Sequence, residues 1–492
     1  GVLFTDKETR TLIETTIALG VAAIPEGLPV VATIALARGM HMMAARQALI
    51  NRLTAVETLG ATRIIFTDKT GTLTENRMTL RRVVSPEGDI TLGEDGEKSD
   101  GEEHSLIRRI VEVGVLCNGA QLADDDGDDE DQDDPTELAL LKGGGRFDLR
   151  RPKLLEKQPE VREEPFSSET MRMATFHESA DDGELLVAVK GSPSRVLEVC
   201  DRVASSDGED QSLDDEGRER WMQRVEDLAG EGLRLLAMAE KTVQSKDEAP
   251  YQGLRFLGLV GLLDPPREDV KAAIEDCREA GIRVIMVTGD QPATAAAIGR
   301  AVALIGSEQP RALHGREIRD PEEMSDDDRE RIHNADVFAR VSPEQKLNLV
   351  TVFQDRGEAV AMTGDGINDA PALKKAEIGI AMGQRGTEAA RQVADMILTN
   401  DAFASIVAAV RHGRIIFGNI RQSVMFMLCT NVAEVIAVAV AFVIGAFVAL
   451  PIPLKPLQIL YLNVLTDVFP ALALGVGRGS PGVMKRDPRP PG

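Results

Sequence analysis

The stretch IIFTDKTGTLTENRMT, residues 64–79, decides the fold, because a short apolar run ends in an acid, a base and several hydroxyls. Two further apolar runs, RVIMVT (283–288) and AVAMT (359–363), end in similar turns rich in Gly and Asp. A helix-like segment follows each of these two runs. Apolar runs that alternate with helices predict a parallel α/β sheet. Ligands of such sheets bind beyond the carboxyl ends of the strands, so we expect the three turns to converge.

The turns carry the chemical groups that phosphoryl transfer uses. They read TDKTGT (67–72), TGD (288–290) and TGDGIND (363–369), and RVSPEQK (340–346) lies between the last two. Carboxylates hold Mg2+, an ammonium group and backbone N–H groups neutralise the phosphoryl oxygens, and one carboxylate attacks. The side chains that supply these groups are Asp68, Thr70, Thr288, Lys346, Asp365 and Asp369.

The bulk composition excludes some classes of protein. A chain of 492 residues predicts two to four domains. With 56 Lys and Arg against 80 Asp and Glu, the net charge is −24, which argues against a nucleic-acid partner. The four cysteines form no CxxC pair, which argues against a zinc site or a disulfide framework and fits a reducing compartment.

Residues 81–256 differ in sequence pattern from the segments on either side, and this difference predicts an inserted α+β domain. They contain the acidic run ADDDGDDEDQDD (123–134) and short alternating runs such as ELLVAVKG (184–191). The chain leaves this domain near GLLDPPRE (261–268). The acidic run is not an EF-hand loop, since Leu122 would occupy its first ligand position, so we expect a surface loop.

Three apolar segments, residues 11–37, 424–450 and 456–477, are each long enough to cross a hydrocarbon core of about 30 Å as a helix. The alternative is that they are buried core helices of a soluble protein. Basic residues flank the segments and place residues 38–423 in the cytoplasm by the positive-inside rule. The tail after 478 would lie there too, with the first ten residues outside.

The motifs DKTGT, TGD and GDGIND, with PALKKA and IGIAMG behind them, resemble the haloacid-dehalogenase superfamily and, within it, the P-type ATPases. Soluble phosphatases of the superfamily usually carry a second Asp two residues after the nucleophile, where it acts as general acid and base. Here that residue is Thr70. The resemblance therefore implies an acyl phosphate that survives long enough to be coupled to another process.

The resemblance implies a role for each of these residues, with ATP and Mg2+ as cofactors. Asp68 would be the phosphorylated nucleophile, and its side chain, the Thr70 carbonyl and Asp365 would hold Mg2+. Asp369 would support Lys346 or the metal. The full set of catalytic residues that it implies is Asp68, Lys69, Thr70, Thr288, Gly289, Asp290, Lys346, Asn368 and Asp369.

The inserted domain, by the same resemblance, would bind the nucleotide. Phe166 in EPFSSETMRM would stack on adenine, although a plain core Phe is the alternative. The family commonly has a Lys where Met171 stands, so the phosphate contact of that Lys is not carried over to this chain. The further residues that the resemblance implies at this pocket are Glu137, Arg172, Lys190, Gly191, Arg234 and Arg340.

Polar residues within the apolar segments indicate an ion path, because they are costly at membrane depth. Pro25 and Pro29 interrupt the first segment and would free backbone carbonyls. An all-oxygen cage favours a hard cation. The predicted ligands are the carbonyls of Val21, Ala22 and Ile24 with the side chains of Glu26, Asn431, Glu434, Asn463, Thr466 and Asp467. The alternative, polar side chains that only hold helices together, explains Asn431 or Thr466 but not three carboxylates.

The cage most resembles that of the two-site calcium pumps, so Ca2+ is the expected cargo, with Na+ or K+ as the alternative. The resemblance implies a multi-pass protein of a prokaryotic plasma membrane. The expected fold is a discontinuous α/β haloacid-dehalogenase-like, Rossmann-like phosphorylation domain with an inserted nucleotide-binding domain and three transmembrane helices. The expected boundaries are 1–45 for the first helix and its stalk, 46–80 and 257–415 for phosphorylation, 81–256 for nucleotide binding, 416–478 for two helices and 479–492 for the tail.

The chain is expected to lack the actuator domain and the remaining transmembrane helices of a full-length pump, since it contains no TGE-type loop. We therefore expect phosphoenzyme formation with poor turnover. Two rival hypotheses are a membrane-tethered phosphatase of the superfamily and a catalytically inactive membrane interaction protein. Thr70 and the intramembrane carboxylates argue against the first, and the intact phosphorylation motif argues against the second.

Overall fold

The fold is described from a computed structural model, in which two compact units are distinguished. One unit comprises Gly1–Asp68, Asp269–Val287 and Leu313–Gly492, and the other comprises Lys69–Glu268 and Thr288–Ala312. We call them the first and second unit. The residues that the structure describes are 6–25, 27–93, 98–100, 105–121, 134–179, 183–205, 209–305, 311–445, 448 and 455–489.

The regular elements are numbered here in chain order. The strands are β1 Ala48–Ile50, β2 Ile64–Thr67, β3 Thr79–Val84, β4 Asp89–Leu92, β5 Lys98–Asp100, β6 Glu160–Ser167, β7 Arg172–Glu178, β8 Leu185–Gly191, β9 Cys200–Val203, β10 Gln211–Ser212, β11 Arg234–Val243, β12 Leu254–Leu263, β13 Arg283–Thr288, β14 Ala312–His314, β15 Val337–Ala339, β16 Val360–Gly364, β17 Ile378–Met382 and β18 Met396–Leu398. The α-helices are α1 Asp6–Ala22, α2 Leu28–Ala44, α3 Leu53–Leu59, α4 Ser105–Leu116, α5 Pro135–Gly145, α6 Arg151–Lys157, α7 Pro193–Leu197, α8 Asp215–Gly230, α9 Val270–Glu279, α10 Pro292–Ala301, α11 Asp326–Asn334, α12 Pro343–Gln354, α13 Ala370–Lys375, α14 Glu388–Val393, α15 Phe403–Gly445, α16 Pro456–Leu462 and α17 Val468–Gly475.

The sheet of the first unit has, among the described residues, eight strands in the order β1-β18-β17-β16-β2-β13-β15-β14. Strand β2 lies between β16 and β13 and is parallel to both. The prediction of parallel pairing for these three strands is confirmed. The edge strand β1, which sequence analysis did not predict, runs antiparallel to β18.

Strand β2 is buried along its whole length, as expected of a parallel strand with both faces covered. Phe66 packs edge-on against Phe353 of α12, with ring centroids 5.1 Å apart. Both rings are fully buried, within a core that also includes Ile285 and Met362 of the neighbouring strands. This core fixes the end of β2, and therefore the backbone that leads into Asp68.

The second unit is built on a mainly antiparallel sheet that has ten strands among the described residues. Its main path is β5-β4-β3-β12-β11-β8-β7-β6, and β9 and β10 lie off that path. The sheet begins with β3 at Thr79 and ends with β12 at Leu263, so the predicted boundaries at 81 and 256 fall inside strands. The acidic run 123–134 lies, except for Asp134, outside the described residues.

Two helical stretches in the described residues, Phe403–Ile444 and Pro456–Gly475, are long and apolar enough to cross a membrane. The first predicted span forms two shorter helices, α1 and α2, which are separated at residues 23–27. Helix α15 has 43 residues and is about 65 Å long, which exceeds the roughly 30 Å of a hydrocarbon core. The third predicted span is not a uniform α-helix, because a π-helical turn, Asn463–Asp467, separates α16 from α17.

Candidate functional site

Asp68 follows directly after the buried strand β2, and its backbone is held from the neighbouring strand. Its N–H donates to the Thr363 hydroxyl of β16 at 3.0 Å, and Thr363 is fully buried. The Asp68 carboxylate oxygen Oδ2 lies 3.5 Å from the Lys346 ammonium nitrogen, and the side chain is 24% exposed. The strand end therefore presents a partly exposed carboxylate on a fixed backbone.

Lys346 supplies a buried positive charge to this site. A capping box begins its helix, α12: Ser342 Oγ accepts from the Gln345 N–H, and Gln345 Oε1 accepts from the Ser342 N–H. Lys346 Nζ donates to Asp369 Oδ1 at 2.7 Å. Burial lowers the pKa of Lys346, but the carboxylates of Asp68 and Asp369 outweigh burial and raise that pKa above its ordinary value. The ammonium group therefore stays charged at neutral pH.

Asp369 holds the turn in which it lies as well as Lys346. Its second oxygen, Oδ2, accepts from the N–H groups of Asp365 and Gly366, each at 3.2 Å. A Cβ atom at Gly364 would lie 2.6 Å from the Asp369 Cβ, so only glycine fits there. Because both oxygens of Asp369 have donors, Asp365 is the carboxylate of this turn that stays more open, with its side chain 39% exposed.

The donor set of Asp68 and Asp365 fits Mg2+. Both are carboxylates at the ends of adjacent parallel strands, β2 and β16, and hard cations prefer such oxygens. In the described part of the chain, no three His, Cys, Asp or Glu side chains group closely enough to hold a metal by themselves. Mg2+ does not need such a group, since it usually binds one or two carboxylates and completes its shell with water and phosphate.

In the second unit, the predicted residues Thr288, Gly289 and Asp290 form one turn, and Lys69 pairs with it. Lys69 Nζ lies 2.6 Å from Asp290 Oδ2, and the Lys69 side chain is only 7% exposed. The buried Thr288 hydroxyl accepts from the Asp290 N–H at 3.2 Å. Gly289, between them, is exposed. Lys69 therefore forms a largely buried ion pair with Asp290 of the same unit.

The turn Lys69–Leu73, in which Thr70 and Gly71 have non-helical backbone angles, is held by the segment DPPR. Thr74 Oγ1 donates to Asp264 Oδ2 at 2.5 Å. The Arg267 guanidinium donates to the carbonyls of Gly71 and Thr74 at 3.0 and 3.2 Å. Burial raises the pKa of Asp264 above its ordinary value. These contacts give the turn a fixed shape in which Gly71 adopts a φ of +67°.

The predicted nucleotide residues of the second unit fall into an aromatic surface and an ion pair. Phe166 on β6 is 61% exposed, so it is not a core Phe. Lys190 Nζ donates to Glu137 Oε1 at 2.5 Å, and Glu137 Oε2 accepts from the Gly119 N–H at 2.9 Å. An exposed ring can stack on a planar ligand, and a largely buried ion pair can position polar groups nearby.

The other predicted residues of this pocket have different surroundings. A Cβ at Gly191 would lie 2.5 Å from the Met171 carbonyl, so close packing requires glycine. Met171 itself adopts a φ of +53°, in the left-handed region. The Arg172 guanidinium lies 4.9 Å from the centre of the Tyr251 ring. Arg234 of the second unit and, in the first unit, Arg340 and Asn368 have exposed side chains.

The apolar helices bring three of the predicted cation ligands, Glu434, Asn463 and Asp467, into two pairs, one of which Thr430 completes. Thr430 of α15 donates to Asp467 Oδ2 at 2.8 Å, and Asp467 is only 4% exposed. The Asn463 amide nitrogen, in the orientation that satisfies its neighbours, lies 2.8 Å from Glu434 Oε2. Asn431, one helical turn before Glu434, is 3% exposed. Carboxylates of α15 and of the π-helical turn are therefore partnered by neutral side chains.

The π-helical turn changes which of its residues share a face. The spacing of Asn463, Thr466 and Asp467, at i, i+3 and i+4, would put them on one face of an α-helix, but Asn463 and Asp467 are buried while Thr466 is exposed. A π-helical turn is wider than an α-helical turn, so residues four apart align and the residue three apart does not. Thr466 still reaches Asp467 Oδ1, at 3.2 Å.

The carbonyls expected from the break in the first span are partly engaged. The Val21 carbonyl accepts from the Ile24 N–H at 3.2 Å, so it has a hydrogen-bond donor, and its role as a cation ligand stays a prediction. The chain closes a tight turn where α1 ends, and this turn uses the carbonyl. Ala22 is the last residue of α1, and the Ile24 side chain is 57% exposed. Glu26 lies outside the described residues.

Comparison with known proteins decides the family. Residues 106–269 match the family described as P-type ATPase, cytoplasmic domain N, and residues 451–492 match Cation transporting ATPase, C-terminus. Cation-transporting ATPase pma1 of Synechocystis is 40% identical over 98% of this chain. Calcium-transporting ATPase of Bacillus subtilis is 37% identical over 96% of the chain, and Probable cation-transporting ATPase F of Mycobacterium tuberculosis is 42% identical over 96%.

The chain belongs to the P-type ATPases. It spans about half the length of the curated relatives that it matches, 54% for each of these three.

Several residues that contact the sites of this P-type ATPase chain were not singled out from the sequence. Thr363 lies within TGDGIND, and Asp264 and Arg267 lie within DPPR. Both motifs stand out in the sequence, but they do not show which other residues these three contact. Thr430 is a hydroxyl inside an apolar segment, next to the singled-out Asn431. Arg385 had no signal, because only the fold places it near Asp365.

Proposed function

We propose that this P-type ATPase chain carries the phosphorylation chemistry of a cation pump, with ATP as phosphoryl donor and Asp68 as acceptor. One observation carries the proposal: the buried Lys346 ammonium lies 3.5 Å from Asp68 and 2.7 Å from Asp369. A fixed positive charge beside a partly exposed carboxylate favours the transfer of an anionic phosphoryl group to that carboxylate.

In the proposed step, one carboxylate oxygen of Asp68 forms a bond to the γ-phosphorus of ATP. The bond from phosphorus to the bridging oxygen breaks, and ADP leaves with its electron pair. Lys346 keeps its proton and neutralises charge on the phosphoryl oxygens. Mg2+, held by Asp68 and Asp365 with the Thr70 carbonyl, would supply further charge neutralisation when bound. Thr70 provides no carboxylic acid for hydrolysis, which supports a persistent acyl phosphate.

Within the second unit, we assign adenine stacking to Phe166 and polar positioning to the pair of Glu137 and Lys190. The exposure of Phe166 and the short Glu137–Lys190 contact support this assignment. The match of residues 106–269 to the N domain of P-type ATPases supports it independently. The predicted domain boundaries, with nucleotide binding in residues 81–256, are kept as part of this proposal.

The sheet of the first unit would be a haloacid-dehalogenase-like, Rossmann-like phosphorylation domain. Its parallel strands β16, β2 and β13, with Asp68 at the end of the middle one, support that assignment. In the proposed arrangement, the chain is a multi-pass part of a prokaryotic plasma membrane protein with three membrane-spanning segments and its catalytic domains in the cytoplasm. An actuator domain and further membrane helices would complete the pump.

The proposed cargo is Ca2+, bound through oxygens of the cage in the apolar helices. Glu434 and Asp467 supply two carboxylates, and neutral Thr and Asn side chains hold them. Carboxylate and carbonyl oxygens suit hard divalent cations. The names of relatives from Bacillus subtilis and Listeria monocytogenes, both called calcium-transporting ATPases, favour Ca2+ over Na+ or K+.

The test of this function is acid-stable labelling of the purified chain with ATP radiolabelled at the γ-phosphate. We expect label on the unmodified chain and on Asp326→Asn, an exposed aspartate of the same unit, and none on Asp68→Asn. Hydroxylamine should release the label, as it does with acyl phosphates. Label that persists in Asp68→Asn would refute the assignment, and rapid loss of label as phosphate would favour a tethered phosphatase.

A further inference from the structure

A loop formed by residues 383–387 is fastened to the turn that carries Asp365. The Thr387 N–H donates to the Asp365 carbonyl at 2.8 Å. At the other end of the loop, the Asp401 carboxylate accepts from the N–H groups of Gly383, Gln384 and Arg385 at 2.7, 3.1 and 3.1 Å. Asp401 is 1% exposed, so this anchor is buried. We call these five residues the Arg385 loop.

The Arg385 side chain bridges the anchor and the candidate metal ligand. Its Nε lies 3.3 Å from Asp401 Oδ2, and its Nη1 lies 3.9 Å from Asp365 Oδ2. A Cβ at Gly386 would lie 1.9 Å from the Met382 carbonyl, so the chain passes too closely for any other residue after Arg385. The guanidinium is therefore directed at Asp365 by a buried carboxylate and a tight backbone.

We propose that Arg385 is a positioning residue that acts as a resident counter-cation of Asp365 and weakens the binding of a divalent cation there. This inference rests on the proposed function, in which Asp365 is a Mg2+ ligand. A guanidinium and a metal ion compete for the same carboxylate, because each neutralises its charge. Metal affinity at Asp68 and Asp365 would then depend on the phosphoryl oxygens that substrate adds.

The expected size of the effect follows from the exposure of the pair. The side chains of Arg385 and Asp365 are 26% and 39% exposed, so water screens much of their attraction. Partly exposed pairs contribute less than about 1 kcal/mol, which corresponds to a change of up to about 5-fold in a dissociation constant. Asp401 also pairs with Arg385, so the guanidinium stays in place when Asp365 binds a metal.

The experiment uses Mn2+ as the probe, with free Mn2+ measured by electron paramagnetic resonance on the purified 492-residue chain in detergent, without ATP. Arg385→Gln should bind Mn2+ about 3- to 5-fold more tightly than the unmodified chain, and Arg385→Lys, which keeps the charge, should stay closer to the unmodified value. Equal or weaker binding by Arg385→Gln would overturn the inference. Thermal unfolding of each variant verifies that the fold is retained.

Asp365→Asn separates failure of this inference from failure of the proposed function. Asp365→Asn should weaken Mn2+ binding. In the Asp365→Asn background, adding Arg385→Gln should no longer change the affinity for Mn2+. If Asp365→Asn weakens binding but Arg385→Gln has no effect, the role of Arg385 fails while the metal assignment stands. If Asp365→Asn leaves Mn2+ binding unchanged, the metal assignment itself fails, and the role of Arg385 with it.

Discussion

The two carboxylate sites of the first unit are partnered in opposite ways. At the Asp68 site, defined by Asp68, Lys346 and Asp369, two carboxylates share one buried lysine. At the Asp467 site, defined by Asp467, Glu434 and their neighbours, the partners are the neutral side chains of Thr430 and Asn463. Within the described residues, no salt bridge involves Glu434 or Asp467.

This difference supports the ligand that we propose for each site. A carboxylate with a permanent cation beside it is better prepared to receive an anion than one with neutral partners, because the cation offsets part of the negative charge at the site. Carboxylates in an apolar region whose partners are only neutral donors keep an uncompensated negative charge, which a bound cation would neutralise. The first arrangement suits phosphoryl transfer, and the second suits a cation that enters and leaves.

The largest expected effect comes from removing the permanent cation. Lys346→Met should lower the rate of phosphoenzyme formation by about 100- to 1000-fold, the range seen when a fixed charge-stabilising donor is lost. It should also lower the free energy of unfolding by about 3 kcal/mol, because the buried Asp369 would lose its partner. Rapid-quench labelling and urea unfolding measure the two effects.

Lys374→Met, at an exposed lysine of α13, is the matched control and should change neither quantity measurably. If Lys346→Met forms phosphoenzyme at the normal rate, the permanent cation has no part in the chemistry, and the contrast between the two sites disappears.

The next effect tests the site with neutral partners. Asp467→Asn should raise the dissociation constant for Ca2+ by about 100-fold, the upper end of the range for changes around metal ligands. Equilibrium binding of radioactive calcium to the purified chain measures this directly. Asp326→Asn, the same chemical change at an exposed position, should bind Ca2+ as the unmodified chain does. Unchanged binding by Asp467→Asn would remove Asp467 from the cage.

A smaller effect is expected from the neutral partner itself. Thr430→Val keeps the shape of the side chain but removes the donor to Asp467, so Ca2+ affinity should fall by about 10-fold, as for other residues that orient metal ligands. Thr466→Val removes a longer contact and should cost less. Calcium titrations of the two variants give the comparison, and an equal loss in both would show that the 2.8 Å contact has no special role.

The smallest effect concerns pH. The pKa of Lys346 is raised in the folded protein, so its contribution to stability is fully present below the unfolded-state value of about 10.4 and is lost as pH rises through the folded value. The difference in unfolding free energy between the unmodified chain and Lys346→Met should therefore be constant from pH 7 to 9 and shrink above about pH 10.5. A difference that grows with rising pH would contradict this sign.

The sequence predicted the Asp68 site more completely than the Asp467 site. Asp68, Lys346 and Asp369 lie in motifs that follow the strands β2, β15 and β16, and a parallel sheet brings the segments that follow its strands to one edge. The faces of Asn463, Thr466 and Asp467 could not be predicted, because a π-helical turn leaves no periodic signal and α-helical spacing is the default expectation. The contact of Arg385 with Asp365 also needed the fold, since the two residues are 20 positions apart in the chain, with helix α13 and strand β17 between them.

The most direct test of the account measures the calcium dependence of phosphoenzyme, because it joins the two sites in one observation. Acid-stable label from γ-labelled ATP would be titrated against free Ca2+ for the unmodified chain, Asp68→Asn and Asp467→Asn. We predict label that rises with calcium in the unmodified chain, needs more calcium in Asp467→Asn and is absent in Asp68→Asn. Equal label at all calcium concentrations, or label in Asp68→Asn, would contradict the account.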